Sequence, residues 1–313
     1  MKKIKVAVAI SSRLRNYNDV SLKSIVNYFD YKNESILLEV DYFVHLNRKK
    51  CNILNGKKNF SQDFITSHEE DMIKSILFPK KFVIEEGYNE IQNKIEKIKL
   101  DINPPEDWII NPSLNNDYQR LYPYHSQEES IKLIEDYENE NNFKYDLIFK
   151  LRPDLYVEPN PHISRHLVFN FIENYRNMWN GINTSWAKTI DVDKSIVCLD
   201  IEVMNGHIRY SDFSFFGTSK SIKLYTYNFI YNYLEYYLYL NKQRNVGDIY
   251  ADNYFTPESF ITYPISKYKM NLHSLWFFKY VLIRKNYVEN SNFDELVDLF
   301  YKHESEEFNK YKT

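Results

Sequence analysis

The feature that most narrows the fold of this chain is an alternation in its first half between short β-branched runs and longer amphipathic segments. That alternation predicts an α/β fold with a mainly parallel sheet flanked by helices. Lys5 to Ile10 reads as a first buried strand and Asp19 to Phe29 as the helix after it, with Asp19 or Ser21 able to cap its start. A second strand follows at Leu37 to His45, a short helix at Glu69 to Leu77 and a third strand at Lys81 to Ile84. Asn116 to Asn139 reads as a long polar helix with Leu121, Ile131, Ile134 and Tyr137 on its apolar side, and Pro123 is expected to break its first turns. Tyr145 to Leu151 is the next strand.

The second half is looser. Strand-like segments return at Ser195 to Val203 and at Ile208 to Phe216, the latter ending in Gly217. A long aromatic helix is expected over Ser219 to Leu240, with Leu224, Tyr227, Tyr231, Leu234 and Leu238 as a core-facing stripe. Trp276 to Ile283 suggests a late strand and Phe293 to Tyr301 a last helix. With neither an internal repeat nor a Gly/Ser linker, the expected organisation is one domain over 1–265 and a strand/helix extension over 266–313 packed on it.

Composition excludes several functions. Only 6 of 313 residues are glycine, and none of the glycine-rich phosphate loops or nucleophile elbows is present. The 40 Lys and Arg balance 43 Asp and Glu, which argues against a protein that coats nucleic acid. Cys51 and Cys198 are too few for a disulfide framework and fit reduced thiols in a cytoplasmic protein. The apolar run Val6 to Ile10 is too short for a signal peptide and is followed by Arg13 and Arg15. No stretch reaches the ~18 to 20 apolar residues of a membrane span, so a soluble protein is expected. The 28 Tyr and 21 Phe go with a general enrichment in Lys, Asn and Ile of the kind AT-rich genomes produce, so they carry little weight as a stacking surface.

The most informative junction is where the strand Tyr145 to Leu151 runs into Arg152-Pro153-Asp154. Parallel sheets bind ligands beyond the carboxyl ends of their strands, so polar residues there are placed for chemistry. A plain turn, with Pro153 fixing φ and Asp154 bonding to local backbone, is the competing reading.

Four strand-end segments occur in order: Val6 to Arg15 (VAVAISSRLR), Val40 to His45 (VDYFVH), Tyr145 to Leu155 (YDLIFKLRPDL) and Ser211 to Gly217 (SDFSFFG). Together, over about residues 4–260, they resemble GT-A-like glycosyltransferases of bacterial surface-polysaccharide clusters and large DNA viruses. The resemblance implies a GT-A-like (Rossmann-like) sheet with a helical, aromatic C-terminal portion. It implies a nucleotide-sugar-dependent hexosyl- or deoxyhexosyltransferase acting on a glycan or glycolipid acceptor in polysaccharide biosynthesis. It places the protein in the cytoplasm, that of the host if the source is viral.

A divalent metal, Mn²⁺ or Mg²⁺, is also implied, bridging the donor diphosphate. Asp154 matches the metal-binding position of the family motif, with Arg152 where the first Asp of a D-x-D usually stands. Arg152 can itself contact phosphate. Ser11, Arg13, Arg15 and His45 fall where the family places groups near the nucleotide, although family members more often have Ser-Gly where this chain has Ser11-Ser12. Arg13 and Arg15 could equally be an exposed cationic loop, and His45 a structural histidine. Asp212 is the candidate general base, with Glu258 its competitor, and His273 is a further candidate metal ligand by its late position.

Other carboxylates and histidines compete more weakly. Asp191-Val192-Asp193 is a literal D-x-D, but it follows a polar stretch and reads as a surface turn. Asp200 and Glu202 share one face of an expected strand. His162 and His166 have metal-pair spacing but stand beside Pro161 without a nearby Glu. The alternative to an enzyme is a noncatalytic glycan- or nucleotide-binding protein on the same fold.

Overall fold

The structure is a computed structural model that describes residues 2–14, 19–30, 36–49, 52–54, 57–59, 64–102, 117–157, 191–198, 201–204, 207–210, 214–245, 260, 262–274 and 280–282. Its strands are β1 (Lys2–Arg13), β2 (Ile36–Asn47), β3 (Asn52–Leu54), β4 (Lys57–Asn59), β5 (Lys81–Glu85), β6 (Leu147–Leu151), β7 (Leu155–Val157), β8 (Ser195–Cys198), β9 (Ile201–Met204), β10 (His207–Tyr210), β11 (Phe215–Thr218), β12 (Asn271–Ser274) and β13 (Tyr280–Leu282). Its helices, in the same chain order, are α1 (Asp19–Phe29), α2 (Ser67–Leu77), α3 (Asn89–Ile102), α4 (Asp117–Asn141), α5 (Ser219–Thr226), α6 (Phe229–Asn245) and α7 (Thr262–Lys267). None of these helices is long and apolar enough to cross a membrane.

A seven-stranded sheet runs in the order β12-β8-β11-β6-β1-β2-β5. All its neighbours are parallel except β11, which is antiparallel to both β6 and β8. The expected α/β class with a mainly parallel, helix-flanked sheet is therefore what the chain adopts. From β1 the chain moves outward to β2 and β5, then returns to the other side of β1 with β6. The β1/β6 boundary is thus where strand order reverses, the place where open α/β sheets leave a crevice.

Alternation along β1 decides the two layers. Ile4, Val6, Val8 and Ile10 pack with Leu22 and Ile25 of α1 and Ile73 and Leu77 of α2. Ala7 and Ala9 point the other way, into a core shared with Ile91 and Ile95 of α3, Ile131 and Ile134 of α4, and the aromatic residues of α5 and α6. Their small side chains let α4 lie close over the sheet centre. Gly217 of β11 meets a similar demand, since a Cβ there would stand 3.0 Å from the Ser195 carbonyl and 2.4 Å from Ser221 Oγ.

Several sequence expectations are refined. The expected long helix from Ser219 is two, α5 and α6, because Asn228 adopts a left-handed φ of 51°. Asparagine tolerates that region, and Asn232 Nδ2 and Tyr268 Oη donate to the freed Tyr227 carbonyl at 3.0 and 3.2 Å. Tyr227 is accordingly 62% exposed and not part of the core stripe. Pro123 does not break α4, which runs through it. The cost of a proline inside a helix, ~3 kcal/mol, is offset by the buried Tyr122 and Tyr124 on either side, which pack on Tyr88 and on Phe229 and Phe260. The first two expected strands of the second half are each a pair: β8 with β9, and β10 with β11. Helix α3 and edge strand β12 were not anticipated. The expected late strand contains β13, whereas Phe293 to Tyr301 lies outside the described residues.

Glu138 ties three elements together from within α4. Its Oε1 accepts from the Tyr145 amide and Ser219 Oγ, at 2.8 and 2.9 Å, and its Oε2 from Lys223 and Lys144. Burial opposes its ionisation, but the Lys223 ammonium, the Tyr145 amide and the Ser219 hydroxyl outweigh burial and hold the carboxyl below its usual range. A carboxylate with a depressed folded pKa stabilises above its unfolded value and loses that contribution as pH falls through the folded one. Glu138→Gln should therefore lower stability by about 2 kcal/mol at pH 7, and its gap to wild type should shrink below about pH 4. Urea unfolding at pH 7 and pH 3 measures both, and an equal gap at the two values would contradict the charge-based account.

Candidate functional site

The alternation that builds a dry core in mid-sheet delivers polar side chains to the same face at the strand ends. Following Ala7 and Ala9 on β1 come Ser11 and Arg13, and following Phe43 on β2 come His45 and Asn47. Register sets these side by side, Ser11 opposite His45 and Arg13 opposite Asn47, with Asn47 opposite Glu85 of β5. On the other flank Lys150 of β6 stands opposite Ala9. Ser11, Arg13, His45, Asn47, Glu85 and Lys150 are all buried. Helix α4 roofs the row at β1, β2 and β5 with Tyr122, His125 and Ser126, themselves buried.

The row converges on Glu85. His125 Nε2 lies 2.7 Å and His45 Nε2 3.3 Å from the same Glu85 oxygen, Oε1. The Ser126 hydroxyl donates its one proton to the His45 carbonyl at 2.8 Å, so its oxygen can only accept from His45 Nδ1 at 3.1 Å. That fixes the proton of His45 on Nδ1 and turns Nε2 toward Glu85. Burial works against ionisation of Glu85, yet the His125 hydrogen bond and the neighbouring His45 ring hold its carboxyl far below the usual range. Burial and the nearby Glu85 charge push the Tyr122 phenol well above its usual value.

Hydrogen bonding at the cluster is incomplete. Glu85 Oε2, His125 Nδ1, the Tyr122 hydroxyl and Ser11 Oγ are buried without a hydrogen-bond partner. Each such group costs about 1–3 kcal/mol, so their concentration in one place marks it for a ligand. Arg13 spans the top of the cluster, its Cζ 5.3 Å from the Tyr88 ring and 5.9 Å from the Tyr122 ring. Asn47 donates to the Gly87 carbonyl at 2.7 Å and fixes the loop after β5.

The Arg152-Pro153-Asp154 corner lies on the other side of the reversal point. Arg152 forms a two-pronged pair with Asp154, Nε to Oδ1 at 2.9 Å and Nη2 to Oδ2 at 2.5 Å, both residues buried. Helix α1 clamps the corner: Ser21 Oγ donates to the Pro153 carbonyl at 2.8 Å, and Ser24 Oγ accepts from the Val157 amide at 3.0 Å. The turn reading and the strand-end reading therefore describe the same residues. Both Asp154 oxygens already accept from a guanidinium, so a divalent cation there would have to displace Arg152 or sit against its charge. The corner as arranged does not fit a metal.

The structure thus brings together Ser11, Arg13 and His45 at one end of the row, with Arg152 and Asp154 after the neighbouring strand β6. His45 is turned inward to Ser126 and Glu85. His273 belongs to β12, opposite Val197 of β8, and four strands separate β12 from β2. At about 4.8 Å per strand it stands ~24 Å from the His45 strand. Arg15, Asp212, Glu258, Asp200, His162 and His166 lie outside the described residues. Asp191 and Asp193 form a turn as expected: Asp191 Oδ1 caps the Asp193 amide at 3.1 Å, and Asp193 accepts from Thr218 Oγ1 at 3.1 Å. Glu202 stands opposite Arg209 in the antiparallel register of β9 and β10.

Sequence reasoning missed Glu85, Asn47, His125, Ser126 and Tyr122. Glu85 and Asn47 were legible as polar ends of apolar strands at the parity of His45. His125 and Ser126 gave no signal of their own, because a polar helix face reads as solvated until the roof position of α4 is known.

No family model matches the chain, and no curated protein matches it. Among solved structures it is similar to the galactosyltransferase LgtC in complex with donor and acceptor sugar analogues, with TM-score 0.35 and 8% identity over 87% of this chain and 73% of that one. It is also similar to mouse xyloside xylosyltransferase 1 in its apo form, with TM-score 0.36 and 9% identity over 88% of this chain and 85% of that one. Likeness at that level fixes neither substrate nor site residues.

Ser12 separates Ser11 from Arg13 with a φ of 155°, a backbone region that glycine adopts more readily than residues with a Cβ. Ser12→Gly should relieve strain and raise stability by about 0.5–1 kcal/mol, whereas Ser12→Val should lose about 1–3 kcal/mol. Urea midpoints of the two variants test this, and a Gly variant less stable than wild type would show an unstrained backbone.

Proposed function

We propose that this protein is a glycosyltransferase that moves a sugar from a nucleotide-sugar donor to a glycan or glycolipid acceptor. One observation supports the reading above others: three of the four strand-end segments that carry the sequence resemblance fall on the adjacent parallel strands β6, β1 and β2, with carboxyl ends flanking the point of strand reversal. A donor diphosphate laid across that boundary would meet Arg13 from one strand end and Arg152 from the next. Arginine suits it because a planar guanidinium matches phosphate oxygens and keeps its charge.

In the transfer, the acceptor hydroxyl oxygen bonds to the anomeric carbon while the bond from that carbon to the diphosphate oxygen breaks. The electron pair leaves with the diphosphate, and the hydroxyl proton passes to a carboxylate, Asp212 or Glu258. Arg152, aimed by its pairing with Asp154, would offset the charge developing on the leaving group. Asp154 acts here by orienting Arg152, and no step requires a metal at that corner. The site lies in the cytoplasm on this reading, and hexosyl or deoxyhexosyl donors are its expected substrates.

The closed Arg152–Asp154 pair also favours a second reading, a binding protein on the same fold that holds nucleotide or glycan without consuming it. Donor turnover separates the two. In a thermal-shift series of UDP, GDP, dTDP and CMP with their sugars, one nucleotide at ~100 times its dissociation constant should add about 2.7 kcal/mol of stability. The matching donor should be consumed, and Asp154→Asn should slow consumption on the order of 10²-fold or more with the fold intact. Stabilisation without consumption would select the binding protein. No shift with any nucleotide would overturn the transferase reading and leave glycan binding as the reading to pursue.

A further inference from the structure

We infer that His45, Glu85 and His125 form a binding site for one divalent first-row transition metal, Zn²⁺ by its ligand chemistry, that pins α4 onto the carboxyl ends of β2 and β5. Three elements each supply one side chain, all three are buried, and the three ligand atoms lie within 4.8 Å of one another. Ligands ~2.0–2.1 Å from a tetrahedral zinc stand about 3.3–3.4 Å apart. The His45 Nε2 to Glu85 Oε1 separation is 3.3 Å, and that of His125 is 2.7 Å, so a small outward movement of His125 opens the same spacing.

The surroundings have the form that metal-bound histidines need. His45 has its proton held on Nδ1 by Ser126, which leaves the Nε2 lone pair for a cation. His125 presents Nε2 to the centre, while its Nδ1 lacks a hydrogen bond and stands 3.9 Å from Glu129 Oε1. A slight approach of that carboxylate would complete the same carboxylate–histidine support on the second ligand. Without a cation, one Glu85 oxygen faces two imidazoles while the other is buried with no partner. A bound metal gives that carboxylate a use for its charge, and the buried Tyr122 hydroxyl lies beside the cluster to meet a fourth, water-filled position. Two imidazoles and one carboxylate select zinc or a neighbouring transition ion over Mg²⁺ or Ca²⁺, which prefer all-oxygen shells.

The site is independent of sugar transfer and is tested without nucleotide. Full-length protein stripped with chelator and returned to buffer should take up one Zn²⁺ per chain by elemental analysis, and its melting temperature should rise with Zn²⁺ and fall again with chelator. Co²⁺ in place of zinc should give visible absorption bands of low-coordinate N/O ligation. Glu85→Gln and His125→Ala should lose the bands and the stoichiometric uptake, Ser126→Ala should weaken binding by ~10–100-fold, and exposed His68→Ala should leave it unchanged. Stripped wild type that takes up neither ion overturns the inference, whatever the variants do. So does undiminished binding by Glu85→Gln and His125→Ala, which would put the ion elsewhere.

Discussion

The structure depends on the double-sided burial of β1. It is hydrogen-bonded on both edges, to β2 and to β6, and covered on both faces, so Val6 to Ala9 retain no exposure. A strand held that way has no freedom of register, because a slip of one residue would exchange the Val/Ile face for the Ala face. The Ala face admits α4 only because its side chains are small. Fixing β1 therefore fixes the distance of α4 from the sheet, and the roof over the polar row follows from the core beneath it.

Core and site are thus continuous along each strand. Moving toward the carboxyl end, the same face passes from Ala to Ser to Arg on β1 and from Phe to His to Asn on β2. Burial persists while polarity rises, and that combination is costly unless the groups satisfy one another. Ser126 does so for His45, and Gly87 for Asn47. Around Glu85 the accounting does not close, and the chemistry is to be sought where it fails. The Arg152–Asp154 corner is different in kind, since its charges cancel internally and its backbone is held by Ser21 and Ser24.

Most of the parallel half was legible in the sequence, for reasons that the residues make plain. β1, β2, β5 and β6 carry apolar runs, buried in β1, β6 and the inner part of β2 and part-buried at the sheet edge in β5, and α1 begins and ends where its apolar pattern places it. α3 carried an equally clear signal, Ile91, Ile95 and Ile98 at helical spacing, that went unread among polar neighbours. The second half was harder because its strands are three or four residues long and its breaks depend on single backbone states such as that of Asn228. Ser11, Arg13, His45, Arg152 and Asp154 were legible as candidates because each ends a strand. Their partners were not, since the meeting of His125 with Glu85 is made by a packing angle and not by any spacing along the chain.

The pairing of β1 with β6 has a consequence for how the chain is made. Lys5 and Asp146, which join where the two strands meet, are 141 residues apart. At ~5–20 residues per second of synthesis, the β6-facing edge of β1 waits about 7–28 s for its partner. Over that interval Val-Ala-Val-Ala-Ile is an apolar strand with one edge open, a template for pairing with other nascent chains. Lys2, Lys3 and Lys5 stand directly before it, and their like charges repel a second copy of the same segment. The three lysines thus set like charge beside the open edge of the central strand for as long as its β6 neighbour is missing.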